Sequence, residues 1–127
     1  MKYLSEEDII EINSFIIDET GGSHGIRDLN SISSIVAQPK QKVFSKELHN
    51  DIYKKAACYT RGVIFNHPFI DGNKRTAMTS AFIFLEDNGF ISTVKKGGIE
   101  KYALEIVLKK KNIDSIAAWL KNNTKKI

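Results

Sequence analysis

His67-Pro68-Phe69-Ile70-Asp71-Gly72-Asn73-Lys74-Arg75-Thr76-Ala77 crowds a histidine, a carboxylate, a glycine and an Asn-Lys-Arg cluster between two apolar helical patterns. The run before it, Ser45 to Asn66, carries Leu48, Ile52, Ala56, Tyr59 and Val63 at helical spacing, which predicts a helix with one buried face. Pro68 disfavours helical dihedrals at His67, so that helix is expected to end there. Gly72 permits a tight turn, and a second apolar pattern of Ala77, Met78, Ala81, Phe82 and Leu85 starts almost at once. Asn73, Lys74 and Arg75 therefore fall in the first turn of a new helix. The stretch reads as a loop joining two core helices.

Cations at a helix N-terminus oppose the macrodipole, so stability alone does not explain Lys74 and Arg75. An anion there does, because unpaired backbone N–H groups, the dipole and two basic side chains converge on it. Phosphate is the natural candidate. Asp71 beside it would repel phosphate unless a divalent cation such as Mg²⁺ lay between them. His67 is then a base within reach of an incoming hydroxyl. From the residues alone, the loop is a phosphate-transfer site.

The stretch from His67 to Arg75 closely resembles the signature of the Fic/Doc family, roughly H-x-F-x-D/E-A/G-N-x-R. Gly21-Gly22-Ser23-His24-Gly25-Ile26-Arg27-Asp28 resembles the N-terminal glycine-rich loop of the Doc branch. Leu29 to Pro39 and the run Thr76 to Gly89 fit as well, so the resemblance spans most of the first ninety residues. It implies that His67 deprotonates the target hydroxyl and that Asp71 coordinates Mg²⁺. Gly72, Asn73 and Arg75 then match the phosphate-binding positions, which Lys74 joins by its own charge at the helix start, and Phe69 is the aromatic that fixes the loop in the core. The connector Gln38 to Phe44 occupies the place of the family's flap, where Val43 and Phe44 either line the docking edge or anchor the loop in the core. His24 and His49 are assigned no catalytic role.

Two positions depart from the commoner Fic pattern G-N-G-R-x-x-R, whose enzymes transfer AMP. Lys74 replaces the second glycine and Met78 the second arginine. A lysine fills space that a triphosphate would use, and a thioether cannot clamp phosphate as a guanidinium does. Both departures match the Doc branch, which implies transfer of the γ-phosphate of ATP to a protein Ser or Thr. Elongation factor Tu is the family's substrate and translation arrest the consequence. Gly72 points towards AMP transfer instead, since Doc-type motifs often carry alanine there. A non-catalytic adaptor is the remaining alternative, and the intact His67 and Asp71 argue against it.

Many Fic proteins carry an inhibitory helix of pattern S/T-x-x-x-E-G/N, but no Ser or Thr here has Glu four residues later. Inhibition is therefore expected in trans, from an antitoxin whose disordered tail folds on binding.

The 127 residues suffice for one domain with a single core. Apolar runs such as Ala81 to Leu85 are far too short to span a membrane. The N-terminus turns acidic quickly, unlike a secretory signal. With Cys58 the lone cysteine, no internal disulfide forms, and the cytoplasm is the expected compartment. The formal charge of +4 is uneven, with nine lysines from Lys95 onward against Glu100, Glu105 and Asp114. No aromatics interleave Lys109-Lys110-Lys111, so solvated helix faces are expected there rather than nucleic-acid binding.

The expected architecture is all-α, a compact domain over residues 1–127 of about six helices with a short extended flap. Ser5 and Asp8 make a capping box for a first helix with Ile9, Ile12, Phe15 and Ile16 as its apolar face. Gly21-Gly22 ends it. A helix over Asp28 to Ala37 stops before Pro39, and the helix Asn73 to Asn88 is expected to be the most buried. Helices over Gly98 to Lys110 and Asp114 to Asn123 follow, with Asp114 as N-cap and Trp119 in the core.

Overall fold

A computed structural model describes all residues, Met1–Ile127. Six helices carry the fold: α1 Glu6–Thr20, α2 Leu29–Ala37, α3 Ile52–Asn66, α4 Asn73–Asp87, α5 Gly98–Lys109 and α6 Ile113–Asn122. The all-α expectation holds. The Ser5 side chain accepts from the Asp8 amide while Asp8 accepts from the Ser5 amide, and Gly21 ends α1, as the capping-box and glycine signals predict.

α3 is the hub. It packs against α4, α6 and α2, while α1 and α5 pack on α4. Both hub helices are buried on several faces, α3 through Ala56, Ala57, Cys58, Tyr59, Val63 and Ile64 and α4 through Ala77, Met78, Ala81, Phe84 and Leu85. Small side chains at the α3–α4 contact let the two helices approach closely. Burial pushes the Cys58 thiol up to about 12, so it is inert at neutral pH.

Several expected details are corrected. The helix expected from Ser45 begins only at Ile52, because the Asp51 carboxylate caps the amides of Tyr53 and Lys54. Residues before it form a hairpin instead, β1 (Lys42–Val43) antiparallel to β2 (Lys46–Glu47), and Leu48 is exposed. Phe15 leaves the apolar face of α1 and is 64% exposed. Asn112, not Asp114, caps α6, accepting from the Ser115 amide at 2.8 Å. Trp119 is half-buried rather than interior, stacked on Tyr102 with ring centroids 4.1 Å apart. A second ribbon went unforeseen, β3 (Phe90–Ser92) pairing with β4 (Thr124–Lys126). No helix is long and apolar enough to cross a membrane.

Candidate active site

The loop between α3 and α4 is fixed at nearly every residue. His67 ends α3 in a left-handed conformation, φ 47 and ψ 58, its amide still bonded to the Val63 carbonyl. That geometry turns the chain out of the helix, as Pro68 requires, and leaves the imidazole exposed.

Arg27 then binds the end of α3. Its Nε donates to the His67 carbonyl and its Nη2 to the Asn66 carbonyl, both at 2.6 Å. These are orphan acceptors of a helix C-terminus, where a cation also complements the dipole. The backbone N–H groups of Arg27 and Asp28 donate to the Pro68 carbonyl, and Ile70 donates to Gly25. Residues 25–28 thus run beside residues 68–70 like a short strand pair, with Ile26 bridged to Phe69. Gly25 permits this approach, since a Cβ there would lie 2.5 Å from Ile70 Cδ1.

Phe69 is 2% exposed and anchors the loop in the core, as expected. The Asn73 side chain ties the loop together: its Oδ1 accepts from the Phe69 amide at 3.0 Å and its Nδ2 donates to the Phe69 carbonyl at 2.9 Å. Its backbone N–H and the second Nδ2 hydrogen remain to meet an anion. Asn13, buried in α1, donates to the Asp71 carbonyl and to Thr76 Oγ1, hanging both sides of Gly72 from one amide. Neither Asn13 nor Arg27 was assigned a role from sequence. Asn13 was signalled as the polar residue within the apolar stripe of α1; Arg27 gave no signal beyond its place in the glycine-rich motif.

The Asp71 carboxylate is exposed, and its Oδ2 accepts from the Ser23 amide at 2.7 Å. The glycine-rich loop and the central motif therefore meet at this carboxylate. No group of three or more His, Cys, Asp or Glu side chains gathers anywhere to cage a metal. A single carboxylate fits Mg²⁺ carried by a nucleotide, which takes one or two carboxylates and completes its shell with phosphates and water.

At α4 the first inward backbone bond runs from Thr76 to the Gly72 carbonyl, and no side chain caps the helix. The amides of Asn73, Lys74 and Arg75 therefore have no helical acceptor. Lys74 and Arg75 are exposed and form no ion pair. Both line a cleft of about 530 Å³ between α1, α4 and α5, together with Phe15, Glu19, Met78 and Glu100. Met78 is fully buried at its wall. Val43 and Phe44 stand apart on the hairpin, 44% and 96% exposed, so neither anchors it in the core. His24 pairs with Asp18 at 2.8 Å on the surface.

The loop thus presents an exposed imidazole, an exposed carboxylate and an uncapped, doubly basic helix N-terminus on one rigid frame. The comparisons agree with the motif. The Fic/DOC family matches residues 3–85. The chain is 31% identical over 121 residues to Toxin Doc of Mycolicibacterium smegmatis, covering 94% of this chain and 91% of that protein. It is 33% identical over 89 residues to the protein kinase doc of Escherichia phage P1, covering 70% of each. By family match and by similarity along nearly its whole length, the chain belongs to the Fic/Doc family.

Proposed function

We propose that the protein is a Doc-like toxin that transfers the γ-phosphate of ATP to a Ser or Thr hydroxyl of a translation factor, elongation factor Tu being the expected target. The observation that carries this reading is the start of α4, where Lys74 and Arg75 stand unpaired beside three amides without acceptors while Met78 is buried. Position 78, where the AMP-transfer pattern has an arginine, is filled by a buried thioether that cannot clamp phosphate as a guanidinium does.

In the proposed reaction, His67 takes the proton from the target hydroxyl as its oxygen attacks the γ-phosphorus and the bridging P–O bond to ADP breaks. Asp71 would hold Mg²⁺, which would supply charge neutralisation, and Lys74, Arg75 and the α4 amides would offset charge on the transferring group. Asn13 and Arg27 position the loop, and the Asn73 side chain ties it to Phe69. An antitoxin acting in trans would complete the toxin–antitoxin pair, and the relatives named as Doc support that assignment.

AMP transfer is the second reading, and Gly72 is what favours it. Yet Gly72 has φ 78, and a Cβ there would lie 3.1 Å from Ile17 Cδ1. Local packing accounts for this glycine without reference to the nucleotide.

The test uses elongation factor Tu and ATP labelled at the α- or γ-phosphate. Label from the γ position, abolished by His67→Ala with helical content unchanged, is the expected result. Label from the α position would establish AMP transfer and sink the phosphotransfer reading.

A further inference from the structure

Residues 41–48 are exposed without exception. A segment with no buried residue has little hydrophobic reason to stay against the body. Its turn is also strained, with Phe44 and Ser45 at φ 50 and 65, a left-handed pair that Asn-Gly fills at lower cost.

What holds this hairpin comes from α3. Lys55 is 1% exposed, and its ammonium donates to the Pro39 carbonyl at 2.9 Å and to Glu47 Oε1 at 3.1 Å. Pro39 precedes the hairpin and Glu47 lies in its second strand, so the two bonds bracket it. The ammonium also stands 5.4 Å from the centroid of the Tyr3 ring, within cation–π range. Burial pulls this ammonium down, but hydrogen bonds to Tyr3 and Glu47 outweigh it and leave its pKa raised.

Lysine is rarely buried unless paired, and its desolvation is costly. Its neighbours on α3 are Ala56, Ala57, Cys58 and Tyr59, so an apolar side chain would suit the packing. The lysine is explained by what it grips. The hairpin's base also shares a cleft with the catalytic loop, for Gln38 and Gln41 face Asn66 across about 620 Å³, and Asn66 directly precedes His67. The base of the hairpin therefore lies beside the end of α3 that His67 terminates.

We propose that Lys55, paired with Glu47, is the latch of the flap, a positioning residue that fixes the hairpin for docking of the protein target. The docking half rests on the phosphotransfer reading; the latch itself does not.

Two variants test it in the full chain. Lys55→Met keeps the buried stem without the ammonium, and Glu47→Gln weakens the bond from the exposed side, where the core is untouched. Trypsin cutting after Lys42 and Lys46 reads opening of the flap, with cutting after Lys125 as the control. Loss of a charge-assisted bond should speed flap cutting by roughly ten- to a hundredfold, with the control unchanged. The KM for elongation factor Tu should rise by a comparable factor, while kcat and ATP affinity stay near wild type. Flap cutting at the wild-type rate in both variants, or equal acceleration at Lys125 in both, would overturn the latch. Faster cutting with an unchanged KM would overturn its docking role. If the wild-type protein labels no target, the phosphotransfer reading and with it the docking role fail, and the trypsin arm alone decides the latch.

Discussion

Asn13 occupies a position on α1 where the spacing of Ile9, Ile16 and Ile17 asks for another apolar side chain, and it is as buried as they are. A polar group is tolerated in such a place only if its hydrogen bonds are made. Here the amide makes two, to the Asp71 carbonyl at 2.9 Å and to Thr76 Oγ1 at 3.1 Å. The same Nδ2 lies 3.3 Å from where a Cβ on Gly72 would sit, a tight contact. One side chain thus fixes the distance between the carboxylate-bearing residue and the start of α4. Asn13→Ala should lower stability by about 1–3 kcal/mol, because it strips the donor from a buried acceptor. Urea unfolding should show a lower midpoint at unchanged m-value. Phosphate transfer should fall further than the unfolded fraction explains, since the loop loses its tie to α1.

The elements that sequence made legible are those whose signals are local. Capping at Ser5, the stop at Gly21, the turn at Pro68 and the start of α4 follow from residues a few positions apart. The hairpin at 42–47 was hidden because Leu48 falls in helical register with Ile52 and Ala56, while Asp51, which caps the true helix, is read only through its bonds. α2 shows how a cap can be coupled to the site. Asp28 accepts from the Ser31 amide and hydroxyl, and its own amide donates to Pro68 beside His67. The side-chain bond from Ser31, followed by the backbone bond from the same residue, holds the Asp28 carboxyl below its ordinary value. A depressed carboxyl adds stability that is fully present above the unfolded-state pKa and is lost as pH falls through the folded one. Thermal stability should therefore fall as pH drops below the usual aspartate range. Asp28→Asn, which still caps but has no carboxyl to titrate, should flatten that part of the profile, with neutral-pH stability lowered towards the level the wild type reaches in acid.

Across the whole molecule, the loop from His67 to Gly72 joins the two most buried helices, so its frame inherits the stability of the core instead of adding to it. The motif was readable because each of its residue types has a chemical reason to be there. The frame was less so, since Arg27 and Asn13 act over separations of 40 and 58 residues, which no local pattern encodes. The β3–β4 ribbon was missed for the same reason. Phe90, Ile91 and Ser92 find their partners at Lys126, Lys125 and Thr124, a pairing between segments that look like a helix end and a basic tail. That pairing gives two C-terminal lysines, Lys125 and Lys126, a structural place, and the Ile127 amide closes it on the Gly89 carbonyl. The ribbon follows the C-terminal end of α4, whereas Asp71, Lys74 and Arg75 lie at its N-terminal end, so the two should separate experimentally. A chain ending at Asn123 loses the ladder and should unfold at lower urea concentration, by about 1–3 kcal/mol for a few exposed backbone bonds worth about 0.5–1.5 kcal/mol each. Its nucleotide affinity, measured by calorimetry with ATP and Mg²⁺, should match that of the full chain. A matching loss of affinity would mean that strain at Gly89 reaches Lys74 through the length of α4, and the helix would then have to be treated as one rigid lever.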